Sequence, residues 1–442
     1  MSQKRVCIIG AGPSGITALK NVIDEGLEAI CYDANDRVGG NWLYSEKPSH
    51  SSVFETTHII SSKTLSQYDD YTWEDHDPSV PDYPSHQQLA SYFQGYSRHF
   101  GLDRFIKFET RVSKAVRLEN GDWELTVEDA IGQQVEVFSD LIVCNGHHWN
   151  PRIPSYPGLF SGEIIHSHDF KKASDFKDKK VLVIGGGNSA CDVAVETSRV
   201  STYTCISWRR GYRIIPKFFF GKPSDIVGSG MTWLPVKLRS MVSQFLIKVF
   251  IGPNQNYGLE EPDHPFGATH PTINDELLYR IRHGKVQPRV DIDRMDGKLV
   301  YFKDGSSEEF DVIIACTGFI ITHPFFDKSQ IDYSEGPVPL YLKMLHPTID
   351  NLFFIGLFQP LGCIWPGAEL QAKIVARQLS GKWKRPKNIA DLVQREVNKP
   401  HYQQLSTPRH TITVDFHLFK KSLVRQLPKD YLSKDPVAHM AR

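Results

Sequence analysis

The chain has 442 residues, room for roughly two or three domains and ample material for a buried core. Its 51 Lys and Arg residues equal its 51 Asp and Glu residues, so no net field draws nucleic acid or an anionic membrane, and small molecules are the expected partners. Seven cysteines, at positions 7, 31, 144, 191, 205, 316 and 363, include no Cys-x-x-Cys pair; this excludes dithiol redox chemistry, and several of them fall inside predicted strands as small apolar residues suited to a reducing compartment.

The first predicted strand, Val6-Cys7-Ile8-Ile9, turns at once into Gly10-Ala11-Gly12-Pro13-Ser14-Gly15. A helix over 14–25 follows, with Ile16, Leu19, Val22 and Ile23 on one face and a stop at Gly26. Glycines between strand and helix let backbone N–H groups and the positive helix end approach a pyrophosphate with no side chain in the way. A glycine turn alone is weak; a strand before it and a helix after it are the confirming context. The next strand, 28–32, ends at Asp33, where a carboxylate accepts hydrogen bonds from a free ribose diol. Gly39-Gly40-Asn41-Trp42 then adds a turn and an aromatic beside which a bulky cofactor fits.

A polar segment over 45–83 and a helix capped at Ser85 come next. Alternating strands around 111–118 and 123–127, with Asn120-Gly121 between them, predict a hairpin. The strand Leu141-Ile142-Val143-Cys144 ends at Asn145-Gly146, and Pro151, Pro154 and Pro157 then break any regular element and mark a linker.

After the linker the strand-turn-helix pattern returns, as Val181-Leu182-Val183-Ile184 and then Gly185-Gly186-Gly187-Asn188-Ser189-Ala190. The matching second strand, 203–207, is followed not by an acid but by Trp208-Arg209-Arg210. A carboxylate there repels a 2′-phosphate, whereas an arginine fork with the hydroxyl of Ser207 binds one through charge-assisted hydrogen bonds. The first fingerprint therefore reads as an FAD site and the second as an NADPH site. A solvated basic edge is the alternative for Arg209 and Arg210.

An insertion over 218–266 interrupts this second domain, its apolar residues reading as packing or a substrate-access lid rather than a membrane anchor. Its most apolar stretch, 245–251, is short and contains Lys248, and the tail 422–442 is charged and proline-bearing; neither offers the roughly twenty apolar residues of a span. The first fingerprint begins ten residues in, which leaves no room for a signal peptide, so a soluble cytoplasmic protein is expected. The strand Val312-Ile313-Ile314-Ala315 meets Thr317-Gly318-Phe319, after which a strand over 352–355 ending at Gly356 and a helix over 369–379 return the chain to the first domain. The expected fold is α/β, with two Rossmann-like dinucleotide-binding domains: an NADPH domain (156–318) inserted into an FAD domain (1–155 and 319–442). His166 and His168, with His147 and His148 upstream, have no accompanying carboxylate or cysteine cluster, so no metal is expected and His166 reads as a tether of the linker.

The linker segment Phe160-Ser161-Gly162-Glu163-Ile164-Ile165-His166-Ser167-His168-Asp169-Phe170 resembles the Phe-x-Gly-x-x-x-His-x-x-x-Phe/Tyr signature of the flavin-containing monooxygenases. Gly39-Gly40-Asn41-Trp42, Ser207-Trp208-Arg209-Arg210, Thr317-Gly318-Phe319 and Glu369-Leu370-Gln371-Ala372-Lys373 are similar to further segments of that family, in its order. The resemblance implies FAD contacts at Gly10, Gly12, Ser14, Gly15, Asp33, Gly40, Asn41, Trp42, Val112 and Gln371, and NADPH contacts at Gly185, Gly187, Asn188, Ser189, Ser207, Arg209 and Arg210. It also implies a homodimer, and a reaction in which NADPH reduces FAD, dioxygen adds to give a flavin 4a-hydroperoxide, and an amine nitrogen or thioether sulfur takes the terminal oxygen. The related Baeyer–Villiger enzymes usually carry Trp where this chain has Phe170, which favours heteroatom oxygenation.

One departure bears on the chemistry. The family usually places an asparagine near the reactive flavin edge where this chain has Ile60, within Ile59-Ile60-Ser61-Ser62-Lys63. Isoleucine cannot donate a hydrogen bond, leaving Ser61 and Ser62, or His58, as candidate catalytic donors. The departure predicts altered or leaky coupling; the alternatives to a coupled monooxygenase are an NADPH oxidase releasing hydrogen peroxide, a Baeyer–Villiger-type oxygenase, and a flavin-binding redox sensor without turnover. Candidate substrate-pocket segments lie near Ser61, after Phe218 and over 358–365, where aromatics suit an apolar or cationic molecule; core packing explains them equally.

Overall fold

The computed structural model describes residues 4–264, 269, 271–398 and 411–428. They fall into two compact units, Met1–Leu43 with Ser61–His147 and Ile320–Arg442, and Tyr44–Ile60 with His148–Phe319.

An apolar run buried on both faces is stable only in a sheet covered by helices on each side, and the first unit is built on such runs. Its five-stranded sheet has the order Leu352–Phe354, Asp140–Val143, Arg5–Ile9, Glu28–Tyr32, Ile106–Lys107, all parallel. The helices Pro13–Asp24 and Trp365–Leu379 pack on one another, the second buried along nearly its whole length. The hairpin expected at Asn120-Gly121 is present: Gly121 takes φ +92° and its N–H donates to Leu118 O at 2.9 Å. It joins Arg111–Arg117 to Trp123–Glu128, and a third strand, Gln133–Phe138, completes an antiparallel sheet. Trp123, Leu125 and Val127 alternate inward to meet Cys7, Ile9 and Phe354 in one core.

His323 lies in that core, ringed by Phe325, Phe326, Tyr333 and Phe354, and neither ring nitrogen has a hydrogen-bonding partner among the described residues. Burial, with His147 nearby, pushes its pKa down to about 3, and burial likewise depresses His166 and His346 to about 4. Each is neutral when folded but takes up a proton near pH 6.5 when unfolded, so its stabilisation is complete above that pH and is lost as pH falls toward the folded value. His323→Phe is expected to remove about 2 kcal/mol of the stability difference between pH 7 and pH 5. Urea unfolding of both proteins at the two pH values measures this, and an undiminished difference in the variant contradicts it.

In the second unit the parallel order is Gln287–Arg289, Tyr203–Ser207, Lys180–Ile184, Val312–Ala315, Glu163–His166. One face of the sheet carries the helix Asn188–Thr197 over a core of Val181, Val183, Ile206 and Val312. The other packs Leu182, Ile184 and Cys205 against a four-stranded sheet ordered Ser307–Glu309, Leu299–Phe302, Ile292–Gly297, Gly158–Phe160. The two Rossmann-like sheets are those expected from the two fingerprints.

The grouping differs from expectation at 44–60, and at 148–155 and 319, all of which fall in the second unit. Residues 45–83 read as one polar stretch of the first domain, but Tyr44–Ile60 belongs with the second unit. The buried Lys171 Nζ donates to Ser51 O at 2.6 Å, Glu55 N donates to Lys171 O at 2.9 Å, and Phe54 meets Phe170 edge-on at 5.2 Å. These contacts link residues more than a hundred positions apart, which no local pattern reveals.

The insertion begins beside a short parallel pairing of Ile214–Ile215 with Thr272–Ile273 that brings its two ends together. It contains the helices Ser224–Ser229 and Val236–Phe250 and the turn Asn254–Tyr257; its expected end, Phe266, and tail residues 429–442 lie outside the described residues. No helix among the described residues is long and apolar enough to cross a membrane.

Candidate functional site

In the first unit Gly10 takes φ +100°, and a Cβ there would lie 2.7 Å from Cys144 O. Gly15 is more constrained still: its Cβ would fall 1.7 Å from Gly10 O, so the helix starts directly against the turn. Gly12 and Gly40 face each other, a Cβ on Gly40 reaching to 2.9 Å of Gly12 Cα. Gly12 caps the helix without any side-chain hydrogen bond, and Pro13 at its start has no N–H to satisfy. With Gly15 N and Ile16 N donating to Gly12 O at 3.0 and 3.1 Å, the Ser14 N–H and the positive helix end are left for an anion, in a cradle that side chains would fill. An FAD pyrophosphate fits such a cradle.

Asp33 is buried at the end of its strand, with Oδ2 accepting from Ala11 N at 2.5 Å and Oδ1 from Asn35 N and Nδ2 at 2.7 and 2.8 Å. The carboxylate is therefore rigidly aimed beside the glycine turn, where a ribose diol reaches its remaining lone pairs. Trp42 meets Trp365 edge-on at 6.0 Å, and Trp365 in turn meets Phe93 at 5.2 Å. Ser14 packs against Gly356, whose φ of +82° and lack of Cβ permit that approach.

Two expected FAD residues have their side chains engaged elsewhere. Gln371 is fully buried, its Oε1 accepting from Gly356 N and its Nε2 donating to Leu342 O, both at 2.9 Å. It positions backbone rather than presenting an amide to a ligand. Val112 is buried in the hairpin core opposite Val127, which leaves backbone as its means of contact. Ser61 and Ser62 are buried too, with the Ser61 and Ser66 hydroxyls sharing a hydrogen bond at 2.8 Å. The other candidate donor, His58, lies across the unit boundary; its Nε2 contacts Lys217 Nζ, and its Nδ1 lies 3.4 Å from Thr56 O.

The second cradle repeats the first. Gly185 takes φ +127° with Cys316 O 2.6 Å from its would-be Cβ, and Gly187 caps the helix Asn188–Thr197 without a side-chain bond and with open space around it. Asn188 braces the turn, its Oδ1 accepting from Ile273 N at 2.7 Å, while Ser189 is exposed. Arg209 is exposed and Arg210 half-buried; neither is ion-paired with a described residue, and Arg210 Nε is buried without a partner. These two cations follow directly on Trp208, which holds the position that Asp33 has in the first unit. Ser207, expected to donate to the same phosphate, is buried and donates to Val290 O at 2.7 Å, so its proton is committed and the arginines are left as donors.

His166 is buried, with Nδ1 accepting from His168 N at 3.0 Å and its ring against Phe319 at 5.1 Å. It holds 166–168 to the 317–319 turn within one unit. Among the described residues no group of three or more His, Cys, Asp or Glu is placed to hold a metal ion.

Two features escaped sequence reasoning. The half-buried Asp192 accepts from Asn274 Nδ2 at 2.8 Å inside the second helix; burial pushes its pKa up, against the pull of His58 and Lys217. Its position one residue after Cys191 on a buried helix face was the available signal. The fully buried Glu369 accepts from Asp69 N at 2.7 Å and from Lys373, beside a Lys20 that bridges Asp24 and Asp70 at 2.8 and 2.6 Å. The spacing of Glu369 and Lys373, four apart on a helix, was legible; the burial was not. Burial pushes the Glu369 pKa up to about 8 against the pull of Lys373, so Lys373→Met leaves a buried carboxyl that takes up a proton, and the variant is expected to be destabilised by about 1–3 kcal/mol in denaturant unfolding. A loss below about 1 kcal/mol, the range of exposed pairs, contradicts a buried ion pair.

Comparison with known proteins bears on these cradles. The family described as Flavin-binding monooxygenase-like matches residues 3–426. Flavin-containing monooxygenase 5 of Rattus norvegicus is 33% identical over 94% of this chain and 81% of its own length. Dimethylaniline monooxygenase [N-oxide-forming] 2 of Oryctolagus cuniculus is 32% identical over 90% of this chain and 77% of its own. The crystal structure of OTEMO, a complex with FAD and NADP, shares the fold with a TM-score of 0.73 at 18% identity, covering 98% of each chain. A match across almost the entire length, on top of two anion cradles in the expected order, makes this chain a member of the flavin-binding monooxygenase-like family.

Proposed function

We propose that this protein is an NADPH- and O2-dependent monooxygenase that oxygenates a soft nucleophile, an amine nitrogen or a thioether sulfur. FAD and NADPH are its cofactors, FAD in the unit that carries Gly10 and NADPH in the unit that carries Gly185. The observation that carries the reading is the contrast between two otherwise similar cradles, one followed by the fixed carboxylate Asp33 and the other by Arg209 and Arg210, which no described residue ion-pairs. A carboxylate selects a free ribose diol and a guanidinium pair selects a 2′-phosphate.

When bound, the two groups supply hydride and the activation of dioxygen. The chain's own work is to grip the two pyrophosphates at uncapped helix starts, orient the adenosine ribose at Asp33, hold the phosphate at the arginines and exclude water. No protein nucleophile is required, in keeping with the single polar role left to Ser61, a hydroxyl already shared with Ser66. The name of the rabbit relative specifies N-oxide formation, which supports nitrogen as an acceptor. The seven free cysteines suit the reducing cytoplasm, where we place the enzyme.

Ile60 favours a second reading, release of hydrogen peroxide without oxygen transfer, because its side chain offers no donor to stabilise activated oxygen. NADPH consumption measured in parallel with peroxide over amines, sulfides and ketones decides between them. Consumption that rises with an amine or sulfide while peroxide falls supports oxygenation. Peroxide equal to NADPH consumed with every compound establishes the oxidase, and turnover confined to ketones establishes a Baeyer–Villiger enzyme.

A further inference from the structure

The turn from Tyr341 to Leu345 lies outside both fingerprints and is fixed to the first unit's central sheet. An antiparallel bridge closes it, Tyr341 N donating to Leu345 O and Leu345 N to Tyr341 O, both at 3.0 Å, and Met344 O accepts from Phe354 N at 2.9 Å. Inside the turn Leu342 takes φ +51° and Lys343 φ +55°. Two successive side-chain-bearing residues in the left-handed region are strained, and such a turn persists only where its surroundings over-determine it. Both residues are buried, and Lys343 Nζ donates to Thr411 O at 3.1 Å.

Leu342 is clamped from two sides. Its N–H donates to both carboxylate oxygens of Glu396, each at 3.2 Å, on the helix Ile389–Asn398. Its carbonyl accepts from Gln371 Nε2 at 2.9 Å, and the oxygen of the same amide accepts from Gly356 N at 2.9 Å. Gly356 in turn lies directly against Ser14, a Cβ there reaching to 2.1 Å of Ser14 Oγ. Contacts therefore run without a gap from Glu396 to the residue whose N–H faces the anion in the first cradle. Gln371 is fully buried, so if Leu342 O swings away the amide loses its acceptor with no water in reach, and its hold on Gly356 slackens. We infer that Glu396 is a positioning residue for FAD, clamping the strained turn at Leu342 and Lys343 and, through Gln371 and Gly356, keeping Ser14 aimed at the pyrophosphate. Charge offers a rival role, because the carboxylate also faces Lys343 and Tyr341; burial pushes Glu396 up and Lys343 down, and each opposes the shift of the other.

Two conservative variants separate reach from charge. Glu396→Gln keeps an oxygen within range of the Leu342 N–H and removes the charge, whereas Glu396→Asp keeps the charge and draws the oxygens back by a methylene. Each FAD-loaded full-length protein is diluted into flavin-free buffer, and the rise of free-flavin fluorescence gives the rate of release. Glu396→Gln is expected to stay within about threefold of the parent and Glu396→Asp to release FAD roughly tenfold faster or more, as losing a hydrogen bond to a charged group predicts. Val393→Ala, which loosens the packing of the same helix at a buried position, should lower the unfolding midpoint and leave the release rate unchanged. The opposite order, Glu396→Asp like the parent and Glu396→Gln fast, makes Glu396 a counter-charge for Lys343 and overturns the inference, as does an unchanged rate in both. Hydrogen exchange in the unaltered protein needs no variant to fold: a Leu342 amide that exchanges as fast as those of exposed turns overturns it too. The inference rests on FAD occupying the first cradle, and Gly15→Ala tells the two apart. A Gly15→Ala protein that keeps parental flavin rejects the cradle and the inference with it; one that loses flavin while Glu396→Asp retains it overturns the inference alone.

Discussion

Gly15→Ala should yield a protein that is purified colourless and does not take up added FAD. The added methyl would sit 1.7 Å from Gly10 O, inside any permissible contact, and the obstacle is backbone, not a side chain that can swing away. Relief requires the helix Pro13–Asp24 to move off the strand Arg5–Ile9, which withdraws the Ser14 N–H and the helix end from the pyrophosphate. A shift of that kind in a packed core costs about 1–3 kcal/mol in stability. Misaligning the Ser14 N–H and the helix end weakens binding by a further tenfold to hundredfold, at about 1.5–3 kcal/mol for a bond to a charged group. Gly336→Ala is the control: a Cβ there would meet nothing within 4 Å and the site lies outside the cradle, so that variant should keep its flavin. Visible absorbance per polypeptide checks both. A yellow Gly15→Ala protein with parental flavin content rejects the cradle.

The second large effect concerns which nicotinamide nucleotide is used. Arg209→Ala/Arg210→Ala should raise KM for NADPH by roughly a hundredfold or more, from two charge-assisted contacts at about 1.5–3 kcal/mol each, while leaving KM for NADH nearly unchanged. Neither arginine is ion-paired with a described residue, so their removal strands no buried carboxylate and should leave the fold intact. Ser207→Ala should have a far smaller effect on the same ratio, because its hydroxyl already donates to Val290 O. Steady-state kinetics with both nucleotides decides the matter: an unchanged NADPH to NADH preference in the double variant shows that the arginines are a solvated edge.

Both cradles were legible from sequence because the parts that announce them are consecutive. A strand, a glycine turn and a helix occupy about twenty consecutive residues, and the apolar runs Val6–Ile9 and Val181–Ile184 announce strands buried on both faces. The residues just past the following strand, Asp33 in one case and Trp208-Arg209-Arg210 in the other, stand where the topology brings the chain back beside the same turn. What sequence concealed depends on contacts between distant segments. Nothing in the polar composition of 45–83 signals that it divides at Ile60, because the division rests on Lys171 and Phe170. The commitment of Ser207 to Val290 and of Gln371 to Gly356 and Leu342 is likewise set by backbone that arrives from far along the chain. The helix Val236–Phe250 shows another limit. An apolar stripe reads the same in sequence whether it faces a core or solvent, and the structure leaves this one exposed.

The account rests on two dinucleotide cofactors gripped by one chain, with electrons passing from the phosphorylated nicotinamide to the flavin. Anaerobic titration of the purified protein with NADPH, followed by visible absorbance, tests this most directly. The account predicts a yellow protein whose flavin band bleaches fully on addition of about one equivalent of NADPH and far less readily with NADH. A protein that stays colourless after incubation with FAD, or a bound flavin that NADPH leaves unbleached, contradicts it.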